Sequence, residues 1–272
     1  MEVQEPHSRG IETKLKNRPR WDVPLYKPAG KLKGKKALVT GGDSGIGRAV
    51  AILYAREGAD VAITFLPEEY EDALDVQAQI KKYGRECLLI EGDLIDASFC
   101  EKCVDTVVEE LGGLDILVSN GAHQITKDSL EEITSEEWDR TFKVDVYAYF
   151  HLAKAAVRHM KSGSAIIATS SETAFFDPEG LPECSPSKGA IDTFTKCLAK
   201  MLIEKGIRVN AVAPGPVWTP LNPAEAVASS QPIARTAQPE EMAPAYVFLA
   251  SSADSSYITG AILPETGGLN IN

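Results

Sequence analysis

This 272-residue sequence predicts a single-domain α/β fold built on a doubly wound parallel sheet. Three observations carry that expectation. Short apolar runs, most of them rich in β-branched residues, alternate with amphipathic segments from Lys35 onward. A glycine-rich turn joins the first run to the first helical segment. No internal repeat marks a second domain.

Each element follows from its own pattern. Residues 36–40 (KALVT), 60–65 (DVAITF), 87–91 (CLLIE), 114–119 (LDILVS), 164–169 (SAIIAT) and 207–212 (IRVNAV) have the length and composition of buried strands. Residues 49–56, 70–83, 99–110 and 135–159 carry helical periodicity between them. Alternation at this spacing places crossover helices against a parallel sheet. Residues 1–34 are polar, with Pro19, Pro24 and Pro28 among many Lys and Arg, and read as an extended arm with little core of its own. Residues 35–272 make up the domain.

Composition narrows the function classes. The chain is 44% hydrophobic and 25% charged, with a net charge of −11, values ordinary for a globular protein. The acidic balance argues against nucleic acid or an anionic membrane surface as a partner. No apolar run reaches bilayer-spanning length. Met1 to Arg20 is polar throughout, so no signal peptide is expected. Five cysteines at irregular spacing (Cys87, Cys100, Cys103, Cys184 and Cys197) make a disulfide framework improbable and suggest a reducing, cytoplasmic setting. Cys100-x-x-Cys103 lies in a helical stretch with no second ligand pair, so core positions are expected and no metal.

The turn Thr40-Gly41-Gly42-Asp43-Ser44-Gly45-Ile46-Gly47 follows the first strand and opens a helix. Its glycines let backbone approach a ligand closely. The helix N-terminus offers unpaired N–H groups and the positive dipole end to a pyrophosphate. Gly41, Ser44, Gly45, Ile46 and Gly47 are therefore candidate dinucleotide contacts.

Further landmarks stand in order behind this turn: Gly92-Asp93-Leu94, Asn120-Gly121-Ala122, Pro214-Gly215-Pro216-Val217-Trp218-Thr219 and Ser255-Ser256-Tyr257-Ile258-Thr259-Gly260. Together they resemble the short-chain dehydrogenase/reductase family over roughly residue 30 to the end. The resemblance implies a Rossmann-like fold with Asp93 and Leu94 at the adenine and Asn120 and Gly121 beside the cofactor. Pro214, Gly215, Val217 and Thr219 would lie over the nicotinamide. It also implies a small-molecule substrate and a homo-oligomer, tetramer or dimer, built on the helices of Asp145 and Cys184. Ala153, Ala156, Val157, Phe194 and Leu198 supply apolar positions there. The second strand ends Ile63-Thr64-Phe65-Leu66-Pro67 with no acid at its tip. An acid there would repel a 2′-phosphate, so NADP(H) is expected, with NAD as the alternative. Arg48 is either a partner for that phosphate or a solvated helix residue.

Family enzymes use a Ser, a Tyr, a Lys and an Asn, and the resemblance maps these roles onto Ser171, Cys184, Lys188 and Asp145. Ser171 precedes position 184 by thirteen residues, and Lys188 follows it by four, on the same helix face. Two of the four positions thus depart from the family pattern. A thiol is shorter than a phenol, with an ordinary pKa near ~8.5 that Lys188 is expected to lower. It falls short of a carbonyl placed for hydride transfer, so Cys184 reads as a small residue that opens space. His123, Glu172, Asp177, Glu183, Tyr147 and Tyr149 are other groups able to handle a proton. The leading expectation is an atypical reductase or dehydrogenase acting on a carbonyl, an iminium or an activated alkene. A non-redox isomerase, dehydratase or cyclase on the same scaffold, and a catalytically silent binding protein, are the alternatives.

Overall fold

Seven parallel strands form one sheet in the order β3-β2-β1-β4-β5-β6-β7. They are β1 (Lys36–Val39), β2 (Asp60–Phe65), β3 (Cys87–Glu91), β4 (Ile116–Ser119), β5 (Ala165–Thr169), β6 (Arg208–Pro214) and β7 (Ile262–Glu265). The structure is a computed structural model that describes residues 11–15, 17–176, 180–222 and 232–269. The helices are α1 (Gly45–Arg56), α2 (Tyr70–Lys82), α3 (Ala97–Leu111), α4 (Ser135–Phe142), α5 (Ala148–Ala156), α6 (Cys184–Leu202), α7 (Pro239–Ala250) and the short α8 (Ser252–Ser255).

The strand periodicity sorts side chains into two cores. Ala37, Val39, Val61, Ile63, Ile116, Val118 and Ile167 face α1, α2 and α7. Leu38, Ala62, Leu117, Ile166 and Ala168 face α3, α5 and α6. Both faces of the central strands are covered, which explains their continuous apolar runs. Each fully buried Val, Leu or Ile contributes roughly 1.5–3 kcal/mol. Cys100 and Cys103 are buried in the second core, and all five cysteines are free thiols. Among the described residues no helix is long and apolar enough to cross a membrane.

Two elements differ from the sequence pattern. β7 is absent from the six runs picked out above, because ILPE holds a proline and only two aliphatic residues and lies half-exposed at the sheet edge. The stretch 135–159 is not one helix. A π turn, Lys143–Tyr147, separates α4 from α5. The extra residue in that turn shifts the helical phase, and Val144 and Asp145 are both buried in it.

The sheet order reverses between β1 and β4, which opens a crevice at their carboxyl ends. Hydrogen bonds stitch its floor. Thr40 Oγ1 accepts from the backbone N–H groups of Asn120 (2.9 Å) and Gly121 (3.0 Å). Asn120 Nδ2 donates to the carbonyls of Thr40 (3.1 Å) and Gly41 (3.2 Å). Thr169 Oγ1 lies 3.1 Å from Asn120 Oδ1 and 2.8 Å from the Tyr246 hydroxyl, tying β5 and α7 to the same point.

Candidate active site

The glycine turn is a cradle that side chains would fill. A Cβ on Gly47 would stand 1.9 Å from Gly41 O. Gly45 has φ +51°, and a Cβ there would come within 3.0 Å of Thr219 Cγ2. Ser44 is the N-cap of α1, and its hydroxyl makes no capping bond. The serine hydroxyl and the Ile46 and Gly47 amides at the positive helix end therefore suit a pyrophosphate. Leu94 Cδ1 would stand 2.5 Å from a Cβ on Gly121, so the β3 and β4 ends close together over the crevice. Asp93 accepts from the Ile95 amide (3.0 Å) and pairs with Arg140 (3.1 Å). Pro214 ends β6. Val217 bridges to Ala237, and Trp218 N donates to Ala237 O (2.9 Å), which brings Thr219 across to Gly45.

Asp145 and Lys188 form the polar centre. Lys188 Nζ lies 3.0 Å from Asp145 Oδ2, and both side chains are buried. Ser187 Oγ donates to the same oxygen (2.8 Å), and the His123 amide donates to Oδ1 (2.9 Å). Burial by itself lowers an ammonium pKa, but the charge and hydrogen bond of Asp145 lead the effects that outweigh it and hold Lys188 above its ordinary value. Lys188 is therefore held as an ammonium beside Asp145.

Cys184 is the first residue of α6, 2% exposed, with Sγ 3.5 Å from Gln124 Oε1. One expectation is corrected here: the thiol pKa is raised, not lowered. Burial is the largest effect, and the nearby Lys188 only partly offsets it. Ser171 caps a 3-10 turn, Glu172–Ala174, that packs against α6. Its Oγ accepts from Thr173 N (3.1 Å) and keeps its proton to donate. Glu172 turns away from this group: its Oε2 would stand 2.9 Å from a Cβ on Gly215. Glu183 Oε1 takes the Ile125 amide at 3.3 Å. Tyr149 is buried against Thr195 and Phe194, while Tyr147 is half-exposed. Asp177 lies outside the described residues, as do residues 223–231 of the loop 221–238.

Two readings near the second strand change. Arg48 is neither solvated nor aimed at a phosphate; it is 1% exposed and paired with Glu12 (2.8 Å) and Asp75 (2.8 Å). Acids do flank the β2 tip. Glu69 folds back from the following turn, and its Oε2 accepts the Leu66 amide (2.9 Å). Asp43, within the glycine turn, is 1% exposed. Burial, joined by the charges of Glu68, Asp72 and Asp93 and opposed by the Leu66 bond, raises the Glu69 pKa to about 7. Burial and the charge of Glu69 push Asp43 up as well. No sequence pattern marks this bond, since Leu66 lacks the side-chain acceptor of a capping box and only the Glu69 half is made.

These shifts set a pH dependence. Glu69 and Glu265 have pKa values raised from 4.5 to about 7 and about 8, with burial the main cause in each. The folded chain holds these protons more tightly than the unfolded chain. The resulting stabilisation is full below about pH 4.5 and is lost as pH rises to about 8. Asp60 and Asp75 act oppositely. Burial raises them, but Lys36 and Arg85 around Asp60, and Arg48 beside Asp75, hold both below 3.8. Their contribution is lost in stronger acid. Thermal denaturation across pH is expected to peak in the mildly acidic range. Glu69→Gln and Glu265→Gln are expected to flatten the alkaline side, and a stability maximum above pH 8 would contradict this.

A glycine cradle at the switch point, a loop crossing from β6 to meet it and a buried lysine–carboxylate pair beside it define a dinucleotide-binding α/β protein. Residues 41–270 match the family model described as enoyl-(acyl carrier protein) reductase. The chain belongs to the short-chain dehydrogenase/reductase family. It is 48% identical over 266 residues to general stress protein 39 of Bacillus subtilis, covering 95% of this chain and 92% of that one. It is 42% identical over 284 residues to NADPH-dependent aldehyde reductase 1, chloroplastic, of Arabidopsis thaliana, covering 100% and 99%. The crystal structure of a short-chain dehydrogenase from Burkholderia cenocepacia in complex with NADP superposes with a TM-score of 0.84 at 37% identity, covering 88% of this chain and 98% of that one.

Proposed function

We propose that this chain is an NADP(H)-dependent oxidoreductase that reduces a small carbonyl substrate, an aldehyde first among them, with an atypical proton-handling group. The buried Asp145–Lys188 pair beside the glycine cradle is the observation that carries this reading. A nicotinamide dinucleotide bound there supplies the hydride. Ser44, Ile46 and Gly47 hold its pyrophosphate, and Thr219 and Val217 close over its other end. Lys188, kept charged and fixed by Asp145, binds its ribose. Ser171 orients the substrate carbonyl through its hydroxyl proton. The preference for NADP(H) follows the NADP-bound structure and the NADPH-dependent relative, since Arg48 is occupied elsewhere.

Three polar atoms near Cys184 are buried without a hydrogen-bond partner among the described residues: His123 Nε2, Glu183 Oε2 and Ser185 Oγ. Each such atom costs about 1–3 kcal/mol, and a polar substrate would satisfy them. A neutral imidazole suits that setting, because burial and Arg140 lower the pKa of His123. His123 and Glu183, each with an unpartnered buried polar atom, are our candidates for the proton that the family tyrosine supplies.

Calorimetry with NADPH and NADH, followed by an absorbance assay on a series of aldehydes, tests the reading. Tighter binding of NADPH and its consumption with at least one aldehyde are expected. Absence of binding at millimolar concentration would overturn the reading of residues 40–47. Binding without turnover would favour a non-redox or silent protein.

We further propose a cytoplasmic homo-oligomer. Ala153, Ala156 and Leu198 are consumed by the core, while Tyr147 (51% exposed), Phe150 (44%), Met201 (73%) and the half-buried Phe194 present apolar surface on α5, α6 and the π turn. Light scattering at micromolar concentration is expected to give a dimer or tetramer mass, and a monomer mass would rule this out.

A further inference from the structure

Glu12 lies ahead of the sheet, on a 3-10 turn (Glu12–Lys14), and is 1% exposed. Its Oε2 accepts the Gly45 N–H at 2.9 Å, and its Oε1 takes Arg48 Nη1 at 2.8 Å. Gly45 is the residue at φ +51° that sits against Thr219. One backbone amide thus joins the segment before β1, the glycine turn and the loop after β6.

The segment is anchored on both sides of this point. The amides of Glu12 and Thr13 donate to Asp72 on α2, at 2.6 and 2.9 Å. Trp21 covers the Arg48 guanidinium at 4.9 Å, and Arg48 Nη2 reaches Asp75 at 2.8 Å. Further on, Arg20 N donates to Gln238 Oε1 (2.9 Å), Glu240 N donates to Arg20 O (3.1 Å), and Arg20 Nε pairs with Glu240 (2.8 Å). Gln238 is the N-cap of α7, where the loop after β6 ends. The segment therefore runs from α2, across the first turn of α1, to the far end of that loop.

We propose that Glu12 is a positioning residue for the dinucleotide, and that the described part of the N-terminal arm around Glu12, Thr13, Arg20 and Trp21 supports the cofactor site. This rests on the reading of residues 40–47 as the dinucleotide turn. The Gly45 N–H is one of the orphan donors of a helix start. A buried carboxylate bonds it with charge assistance at the positive helix end. Arg48 offsets that charge, so it does not oppose a pyrophosphate arriving one residue further along. The bond fixes Gly45 in its left-handed conformation, and that conformation sets where Ser44, Ile46 and Gly47 point. A carboxamide offers one acceptor oxygen in place of two, so either the Gly45 N–H or Arg48 Nη1 then faces a donor, the charge on both is lost, and the turn relaxes.

The test uses the full-length chain with NADPH as the probe. Calorimetry on Glu12→Gln and Glu12→Asp, at a temperature where circular dichroism shows each folded, is expected to show affinity for NADPH about tenfold weaker for Gln and partly restored for Asp. The substrate KM at saturating NADPH is expected to stay unchanged. By linkage, NADPH is expected to protect amides of residues 12–20 from hydrogen exchange in the unmodified protein. That measurement decides the matter even where a variant does not fold. Unchanged or tighter NADPH binding in the variants, or no added protection of residues 12–20, overturns the proposal while leaving the dinucleotide reading standing. Failure of the unmodified protein to bind either NADPH or NADH overturns both.

Discussion

Lys188→Ala is expected to lose stability and activity together. Among the described residues Nζ is the only cation paired with Asp145, and the pair is buried. Removing one partner of such a pair costs about 3–5 kcal/mol, because the remaining charge is left uncompensated. The His123 amide and the Ser187 hydroxyl still satisfy Asp145 as hydrogen-bond donors, but they carry no charge. Turnover is expected to fall by about 10²-fold or more through lost positioning of the cofactor. The two effects separate in the double variant Lys188→Met, Asp145→Asn. Neutralising both sides removes the stranded charge, so the melting temperature is expected to recover while turnover and dinucleotide affinity do not. Thermal denaturation, calorimetry with NADPH and steady-state kinetics on the three proteins check this. A Lys188→Ala protein with normal affinity and turnover would remove Lys188 from the site.

Substitution at position 184 is expected to separate the family mechanism from this chain's own. Cys184→Ala and Cys184→Ser are expected to keep activity within a few-fold of the parent. The buried thiol is held above its ordinary pKa, with Gln124 Oε1 at 3.5 Å and the Thr173 side chain beside it. A group in that state is a poor base and a weak acid at neutral pH. Cys184→Tyr places a phenol on the residue four before Lys188, restoring the family arrangement with Ser171. Reduction of simple aldehydes is expected to rise, by up to about the 10²-fold that a positioned general acid provides. The native substrate, fitted to the shorter side chain, is expected to show a higher KM. The decisive number is kcat/KM of Cys184→Ala. A fall beyond about a hundredfold with NADPH affinity unchanged would make the thiol a direct participant.

Much of the fold was legible because strand and helix periods are local properties. Six of seven strands stand within two residues of the runs read from the sequence. The glycine turn was equally plain, because Gly47 and Gly45 mark places where a Cβ meets backbone or Thr219. Position-by-position likeness to a family is what proposes Ser171, Lys188, Asp145 and Cys184 for the site, and a cysteine where the family has its tyrosine. β7 escaped, since an edge strand is half-solvated and need not be apolar.

What the sequence by itself determined, then, was the alternation of elements and the turn, with four positions proposed for the site. Only the tertiary structure decided which charges meet. The Asp145–Lys188 pair needs a π turn to bring Asp145 inward. The pKa of Cys184 depends on a contest between burial and Lys188 that spacing alone misjudged. Arg48 was claimed by Glu12, thirty-six residues away, and by Asp75, twenty-seven away. Acids reached the β2 tip by a backward fold of Glu69. Periodicity records which face a residue turns to the core. Burial and Coulomb interactions depend on distances across elements, and those exist only once the chain has packed.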